Sequence, residues 1–381
     1  MSVSIASHFD GGAIEVISAV SSANVRLRIA SDSRSTVRQW FYFRVSGVRG
    51  ELLTLSLDNA GDCTYTAGWS DYKVVASYDG ENWFRVPTQF DGRALRVRLE
   101  AKFDHIYFAY FEPYSEIRRA KFLGTLQTLP GVCVRDLCRS INGKPISLVR
   151  VSDGQRTSKK KLWFIARQHS GEAMAEWFVE GLLQRLTRQG CWEGDPIARD
   201  LLSRADIFVV PNMNPDGSAL GNLRMNAAGI DLNRQWSDPN AISSPEVLYV
   251  REEIMSTGCD AFFDVHGDEA LPYVFAAGTE TVSGSDQDRA REQETFVNHL
   301  KNATSEFQNE FGYATNKHEK DNLQLAARFI GHHFGCLAMT LEMPFKDNAN
   351  CPDERTGWNG ARSRALGAAM LQALYWQLCQ R

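Results

Sequence analysis

The sequence predicts an α/β protein preceded by an all-β amino-terminal part, and three observations support that class. Up to about residue 112, short runs, one of them cleanly alternating apolar with polar residues, are separated by turn residues. From about residue 113, buried runs rich in branched and aromatic residues alternate with stretches whose apolar positions recur every three or four residues. The chemically distinctive side chains fall at the carboxyl ends of those buried runs, where open α/β sheets bind ligands. At 381 residues the chain is longer than one hydrophobic core usually serves. Two domains are therefore expected, residues 1–112 and 113–381.

Composition narrows the class. Apolar residues make up 43% and charged residues 23%, as in soluble globular chains. A net charge of −4 and a pI near 6.1 give no reason to expect nucleic acid or an anionic membrane as partner. Lys159-Lys160-Lys161 reads as a solvated loop before a strand. The first ten residues have neither the basic start nor the apolar stretch of a signal peptide, and no window approaches the roughly 18 apolar residues of a membrane span. The eight cysteines are scattered without C-x-x-C pairing. Reduced thiols in a cytoplasmic protein are expected.

In the amino-terminal part, residues 40–45, 51–57, 72–78, 94–100 and 105–111 read as strands. The fourth alternates cleanly, with Leu95, Val97 and Leu99 on one face and Arg96 and Arg98 on the other. Asp79-Gly80 marks a hairpin between Tyr78 and Trp83. Strands at this spacing suggest an antiparallel β-sandwich. It holds no acid–base cluster and reads as a supporting domain or a binding module.

The second part begins with a strand at 161–166, which leads into Gln168-His169-Ser170-Gly171-Glu172. A helix follows, with Ala175, Phe178, Val179, Leu182, Leu183 and Leu186 forming one stripe. A strand at 206–210 ends in the turn cluster 211–217, and the next loop carries Arg224, Asn226, Asp231, Asn233 and Arg234. Ser243-Ser244-Pro245-Glu246 has the form of a capping box opening a helix to about Met255. The strand at 260–265 ends in His266-Gly267-Asp268, and the strand at 336–341 ends in Glu342. Helices are expected at 288–310 and 361–380.

His-x-x-Glu by itself equally describes a surface histidine beside a glutamate that favours a helix N-terminus. A third ligand and further groups at other strand ends change its meaning. Two histidines and a carboxylate are the protein ligands of hydrolytic zinc, which keeps a fourth position for water and lowers its pKa to about 7. His169, Glu172 and His266 are the candidate ligands, and Glu342 is placed to move the water proton to a leaving amine. Arg224 is the candidate partner for a developing oxyanion. Asn233 and Arg234 can grip a carboxylate, and Asp231 can hydrogen-bond the far nitrogen of His169. His8, His105, His299 and His318 lack partners at useful spacing. His332-His333, read as part of a strand, point to opposite faces and cannot share a metal.

His169-x-x-Glu172, Asn214-Pro215-Asp216-Gly217, Gly229-x-Asp231-x-Asn233-Arg234-x-Trp236, His266-Gly267 and Leu341-Glu342, in this order, resemble the zinc metallocarboxypeptidases of the pancreatic type. The β part, with its Ala109-Tyr110-Phe111-Glu112-Pro113-Tyr114 exit, looks like the amino-terminal domain of the cytosolic carboxypeptidase branch. The resemblance implies a mixed-sheet α/β domain with helices on both faces, one Zn²⁺ per chain on His169, Glu172 and His266, and a peptide or protein C-terminal tail as substrate. It implies that Glu342 is the general base, that Arg224 polarises the scissile carbonyl, and that Asn233 with Arg234 holds the terminal carboxylate.

Pancreatic-type enzymes place a mobile tyrosine ahead of the catalytic glutamate, whereas the interval from Tyr313 to Glu342 contains no further tyrosine. The same interval holds Arg328, close to where the family lines its side-chain pocket, and this predicts a preference for acidic C-terminal residues. Lys317 and Lys320 are alternatives for that role. The competing function is a zinc amidase or deacylase acting on N-acyl amino acids, or an enzyme of cell-wall-derived peptides.

Overall fold

The computed structural model describes residues 3–155, 159–279, 287–314 and 322–379. The amino-terminal strands are β1 (Ser4–Ala6), β2 (Glu15–Ser21), β3 (Asn24–Arg28), β4 (Tyr42–Ser46) and β5 (Leu52–Leu57). They continue with β6 (Val75–Ser77), β7 (Trp83–Arg85), β8 (Thr88–Phe90), β9 (Leu95–Glu100) and β10 (His105–Ala109). These form two five-stranded sheets, ordered β1-β4-β10-β6-β7 and β2-β3-β5-β9-β8. Pairing is antiparallel except between β3 and β5.

Alternation does the sorting in these sheets. Leu95 and Val97 of β9 are buried while Arg96 and Arg98 are exposed, and Phe43, Val45, Ile106 and Phe108 join the same core from the other sheet. The β6–β7 hairpin forms where Asp79-Gly80 stands, because the Asp79 carboxylate accepts the N–H groups of Glu81 and Asn82 at 2.9 and 2.7 Å.

From residue 116 the elements are α1 (Glu116–Leu126), β11 (Val132–Arg139), β12 (Pro145–Val151), β13 (Lys160–Ala166), α2 (Ala173–Leu186), α3 (Pro196–Arg204) and β14 (Ala205–Val210). There follow α4 (Pro215–Leu220), α5 (Pro245–Thr257), β15 (Ala261–Asp268), β16 (Phe275–Ala277) and α6 (Gln287–Ala303). The last are α7 (Ala326–Phe334), β17 (Leu337–Pro344) and α8 (Gly360–Cys379). Seven strands make one mixed sheet, ordered β11-β12-β14-β13-β15-β17-β16, whose four central strands are parallel.

Successive residues of those central strands feed two separate cores. Phe164, Val209, Phe263 and Met339 pack with α2 and α8 on one face. Trp163, Phe208, Phe262 and Ala338 pack with α5 and α7 on the other. Helices thus cover both faces, and fully buried strands read as continuous apolar runs for that reason. Helices α2 and α8 approach so closely that a Cβ on Gly367 would lie 2.0 Å from the carbonyl oxygen of Phe178. Helix α2 is accordingly buried all round rather than along a single stripe.

Other differences from the expected elements have local causes. The helix expected at 288–310 ends at Ala303, because the chain turns back and Phe307 bridges to Val274 of the sheet side. No capping box forms at α5. Ser244 Oγ accepts the Asn240 N–H at 2.9 Å instead, and Glu246 is buried. His332 and His333 lie in the last turn of helix α7, not on a strand.

Candidate active site

The site forms where β13, β15 and β17 end. After β13 the chain reverses through Arg167, whose φ is +58°. That turn is locked by its own guanidinium, which donates from Nε to the Ser170 carbonyl at 2.8 Å and pairs through Nη1 with Glu176 at 2.5 Å. The reversal delivers His169 into the site and puts Glu172 at the N-cap of α2. His266 and Glu342 are register partners on the adjacent parallel strands β15 and β17.

Both imidazoles turn Nδ1 toward Glu172. His169 Nδ1 lies 2.7 Å from Oε1 and His266 Nδ1 lies 2.8 Å from Oε2, with the two Nδ1 atoms 3.2 Å apart. The far nitrogens meet carboxylates: His169 Nε2 is 3.2 Å from Asp231 and His266 Nε2 is 2.8 Å from Asp264. Those acceptors favour the proton on Nε2, which leaves two Nδ1 lone pairs converging on the glutamate. All three residues are buried, and their ligand atoms lie within 4.8 Å of one another. Among the described residues no other group of His, Cys, Asp or Glu meets that geometry.

The buried carboxylates favour positive charge here, whether a proton on an imidazole or a metal ion. Burial alone would raise Glu172, yet His169 and His266 hold its carboxyl down at about 2. Burial alone would lower His266, yet Asp264 and Glu172 push it well above the usual imidazole range. Three carboxylates around two imidazoles with inward lone pairs fit a divalent metal of the zinc type.

The other sequence-predicted residues gather in the same cavity of about 330 Å³. Glu342 lines it, and burial, with Glu172 and Asp268 adding to it against the opposing charge of His266, raises its carboxyl to about 8. Its Oε2 has no hydrogen-bond partner among the described residues. Arg224 donates from Nε to Asp231 at 2.8 Å, so Asp231 bridges His169 and Arg224. Asn233 accepts the Ala326 N–H at 2.9 Å and places Nδ2 3.3 Å from His266. Arg234 and Arg328 also line the cavity, and Arg328 Nε donates to the Asn322 carbonyl at 3.1 Å. His8, His105, His299, His332 and His333 stand apart from it. Lys317, Lys320 and His318 lie outside the described residues.

Sequence reasoning missed three titratable lining residues: Tyr65, Glu269 and Tyr313. In the sequence Tyr313 only opens an interval without a further tyrosine, yet its hydroxyl reaches Glu342 Oε1 at 2.9 Å. The one local signal was an aromatic residue about 30 positions ahead of the carboxylate. Tyr65 comes from the connection between β5 and β6 of the amino-terminal part, which no motif could have brought to this site.

Known proteins share this architecture. A family described as "Zinc carboxypeptidase" matches residues 121–357, and one described as "Cytosolic carboxypeptidase N-terminal domain" matches residues 5–111. A crystal structure of a metallo-carboxypeptidase from Burkholderia cenocepacia is 54% identical, with a TM-score of 0.98 over 99% of both chains. A metallo-carboxypeptidase from Pseudomonas aeruginosa, solved in complex with (2-guanidinoethylmercapto)succinic acid, is 45% identical. Its TM-score is 0.94, covering 98% of this chain and 100% of that one. Cytosolic carboxypeptidase 6 of Mus musculus is 27% identical over 88% of this chain, which spans 66% of the mouse protein's length. Among the described residues no helix is long and apolar enough to cross a membrane.

Proposed function

The chain belongs to the zinc carboxypeptidases and carries the amino-terminal domain of their cytosolic branch, and on that premise we propose how its residues divide the work. It is a metallocarboxypeptidase, a peptide hydrolase. In this assignment residues 113–381 are the catalytic domain, and His169, Glu172 and His266 hold one zinc ion. Zinc, when bound, supplies a Lewis acid and lowers the pKa of water to about 7. Glu342 takes the proton of the attacking water on its unpartnered Oε2 and passes it to the leaving amine. Arg224, braced by Asp231, meets the charge that develops on the scissile carbonyl oxygen.

Asn233 and Arg234 grip the C-terminal carboxylate, which restricts cleavage to a free chain end. Arg328 adds a second cation in the same cavity and makes an acidic terminal residue the preferred one. The succinic acid part of the ligand named for the Pseudomonas relative has two carboxyl groups, the chemistry such a pocket would take. A C-terminal peptide or protein tail is the substrate in this reading.

The observation that carries the reading is the convergence of two inward Nδ1 atoms on Glu172, with carboxylates behind both rings and Glu342 beside them. The test is mass spectrometry of peptides that differ only in the last residue, run beside C-terminally amidated copies and small N-acyl amino acids. The reading predicts loss of single residues from free acids, fastest after a terminal Glu, and none from amides. Turnover of N-acyl amino acids with intact peptides would replace it by a zinc amidase or deacylase.

A further inference from the structure

Asp32 lies in the turn between β3 and β4 and is 4% exposed. Its carboxylate accepts three consecutive backbone N–H groups of the Arg224 loop. Leu223 donates at 2.7 Å, Arg224 at 2.7 Å and Met225 at 2.9 Å. The neighbouring Ser33 adds its N–H and hydroxyl to Asn222 Oδ1 at 3.0 and 3.1 Å.

The same loop is held from the opposite side by the turn that carries the candidate metal ligands. Gly171 N–H donates to the Leu223 carbonyl at 2.6 Å, and Ser170 Oγ donates to the Asn222 carbonyl at 2.9 Å. Farther along, Gly229 has φ +79°, and a Cβ there would lie 2.6 Å from the Arg34 carbonyl oxygen, so the two segments touch without space between them. The Arg224 loop is therefore clamped between His169–Glu172 and residues 32–34 of the amino-terminal sheets.

We propose that Asp32 is a positioning residue for Arg224, so that the amino-terminal sheets complete the catalytic machinery of the other domain. The inference rests on the assignment of Arg224 to the scissile carbonyl. A buried carboxylate that gathers three adjacent amides fixes the backbone of the loop. Side-chain placement to within a fraction of an ångström is what oxyanion stabilisation requires. A carboxylate that merely glued two domains together would have no reason to act through Arg224.

The experiment is a double-variant cycle on the zinc-loaded full chain, with zinc content and melting temperature measured on each protein. It uses Asp32→Ala, Arg224→Ala and the pair, assayed on a peptide with a free C-terminal Glu. The expected result is a kcat lowered about 10- to 100-fold by Asp32→Ala, with KM within about twofold. In the Arg224→Ala background the same change costs less than about threefold. Asp32→Asn, which keeps the side-chain shape and one acceptor oxygen, gives the same comparison if Asp32→Ala does not fold, and its loss is smaller. An equal loss in both backgrounds, or a loss that follows zinc content, overturns the proposal while leaving Arg224 in place. An Arg224→Ala variant with unchanged kcat would instead refute the assignment of Arg224, and the proposal with it.

Discussion

The hydroxyl of Tyr313 lies 2.9 Å from Glu342 Oε1 and 2.8 Å from Asp268 Oδ2. A phenol has one proton to donate, so both contacts are favourable only when one of the two carboxyls carries its own. As the base, Glu342 starts unprotonated, and the phenol donates to its Oε1. Tyr313 thus orients the base without consuming Oε2. Tyr313→Phe is expected to lower kcat/KM about tenfold, the scale of one hydrogen bond to a charged group. Steady-state kinetics at unchanged zinc content checks this, and an unaltered kcat/KM would contradict it.

Asp264 stands behind His266 as Asp231 stands behind His169. Asp264→Asn is expected to weaken zinc binding roughly 10- to 100-fold, because the amide no longer holds the Nε2–H tautomer as firmly. Competition with a chelator of known affinity measures it. Zinc affinity equal to that of the wild type would show that Asp264 plays no part in tuning the ligand.

Arg328 shares the cavity with the candidate metal ligands and is buried. Arg328→Leu is expected to shift the ratio of kcat/KM between C-terminal Glu and C-terminal Leu peptides by about 10- to 100-fold toward Leu, as loss of a charge-assisted hydrogen bond would. An unchanged ratio would remove Arg328 from the specificity assignment.

Glu246 gives a pH dependence outside the site. Burial raises its carboxyl to about 7 from 4.5, and the nearby Asp216 adds to this. The folded state therefore binds this proton more tightly than the unfolded chain does. The stability that follows is fully present below about pH 4.5 and is lost as pH rises through about 7. Glu246→Gln stays neutral, so it should melt a few degrees above the wild type at pH 8 and lose that advantage near pH 4.5. Thermal melts across that range test the sign.

What the sequence disclosed follows from where each residue's neighbours lie. The strands at 161–166 and 260–265 were legible because full burial on both faces leaves a continuous apolar run. His169, Glu172, His266 and Glu342 were legible because each sits at or near the end of such a run. Strand β2 was not, since as an edge strand it exposes Val16, Ile17 and Val20 and carries no clean alternation. Helix α7 was missed because it opens at Leu325 without a capping side chain and its nine residues end in an aromatic and histidine-rich turn. Tyr313 reaches Glu342 only because the chain doubles back after α6, and Asp32 meets the Arg224 loop across about 190 residues of sequence. No local pattern encodes contacts of that range.

In the proposed mechanism Glu342 is the base and not a metal ligand. The most direct measurement is zinc content and peptide turnover of Glu342→Gln, side by side with the wild type. One zinc per chain is expected in both proteins, with a loss of C-terminal residue release of about a thousandfold or more in the variant. Substantial turnover with Gln at position 342, or loss of zinc along with activity, would contradict it.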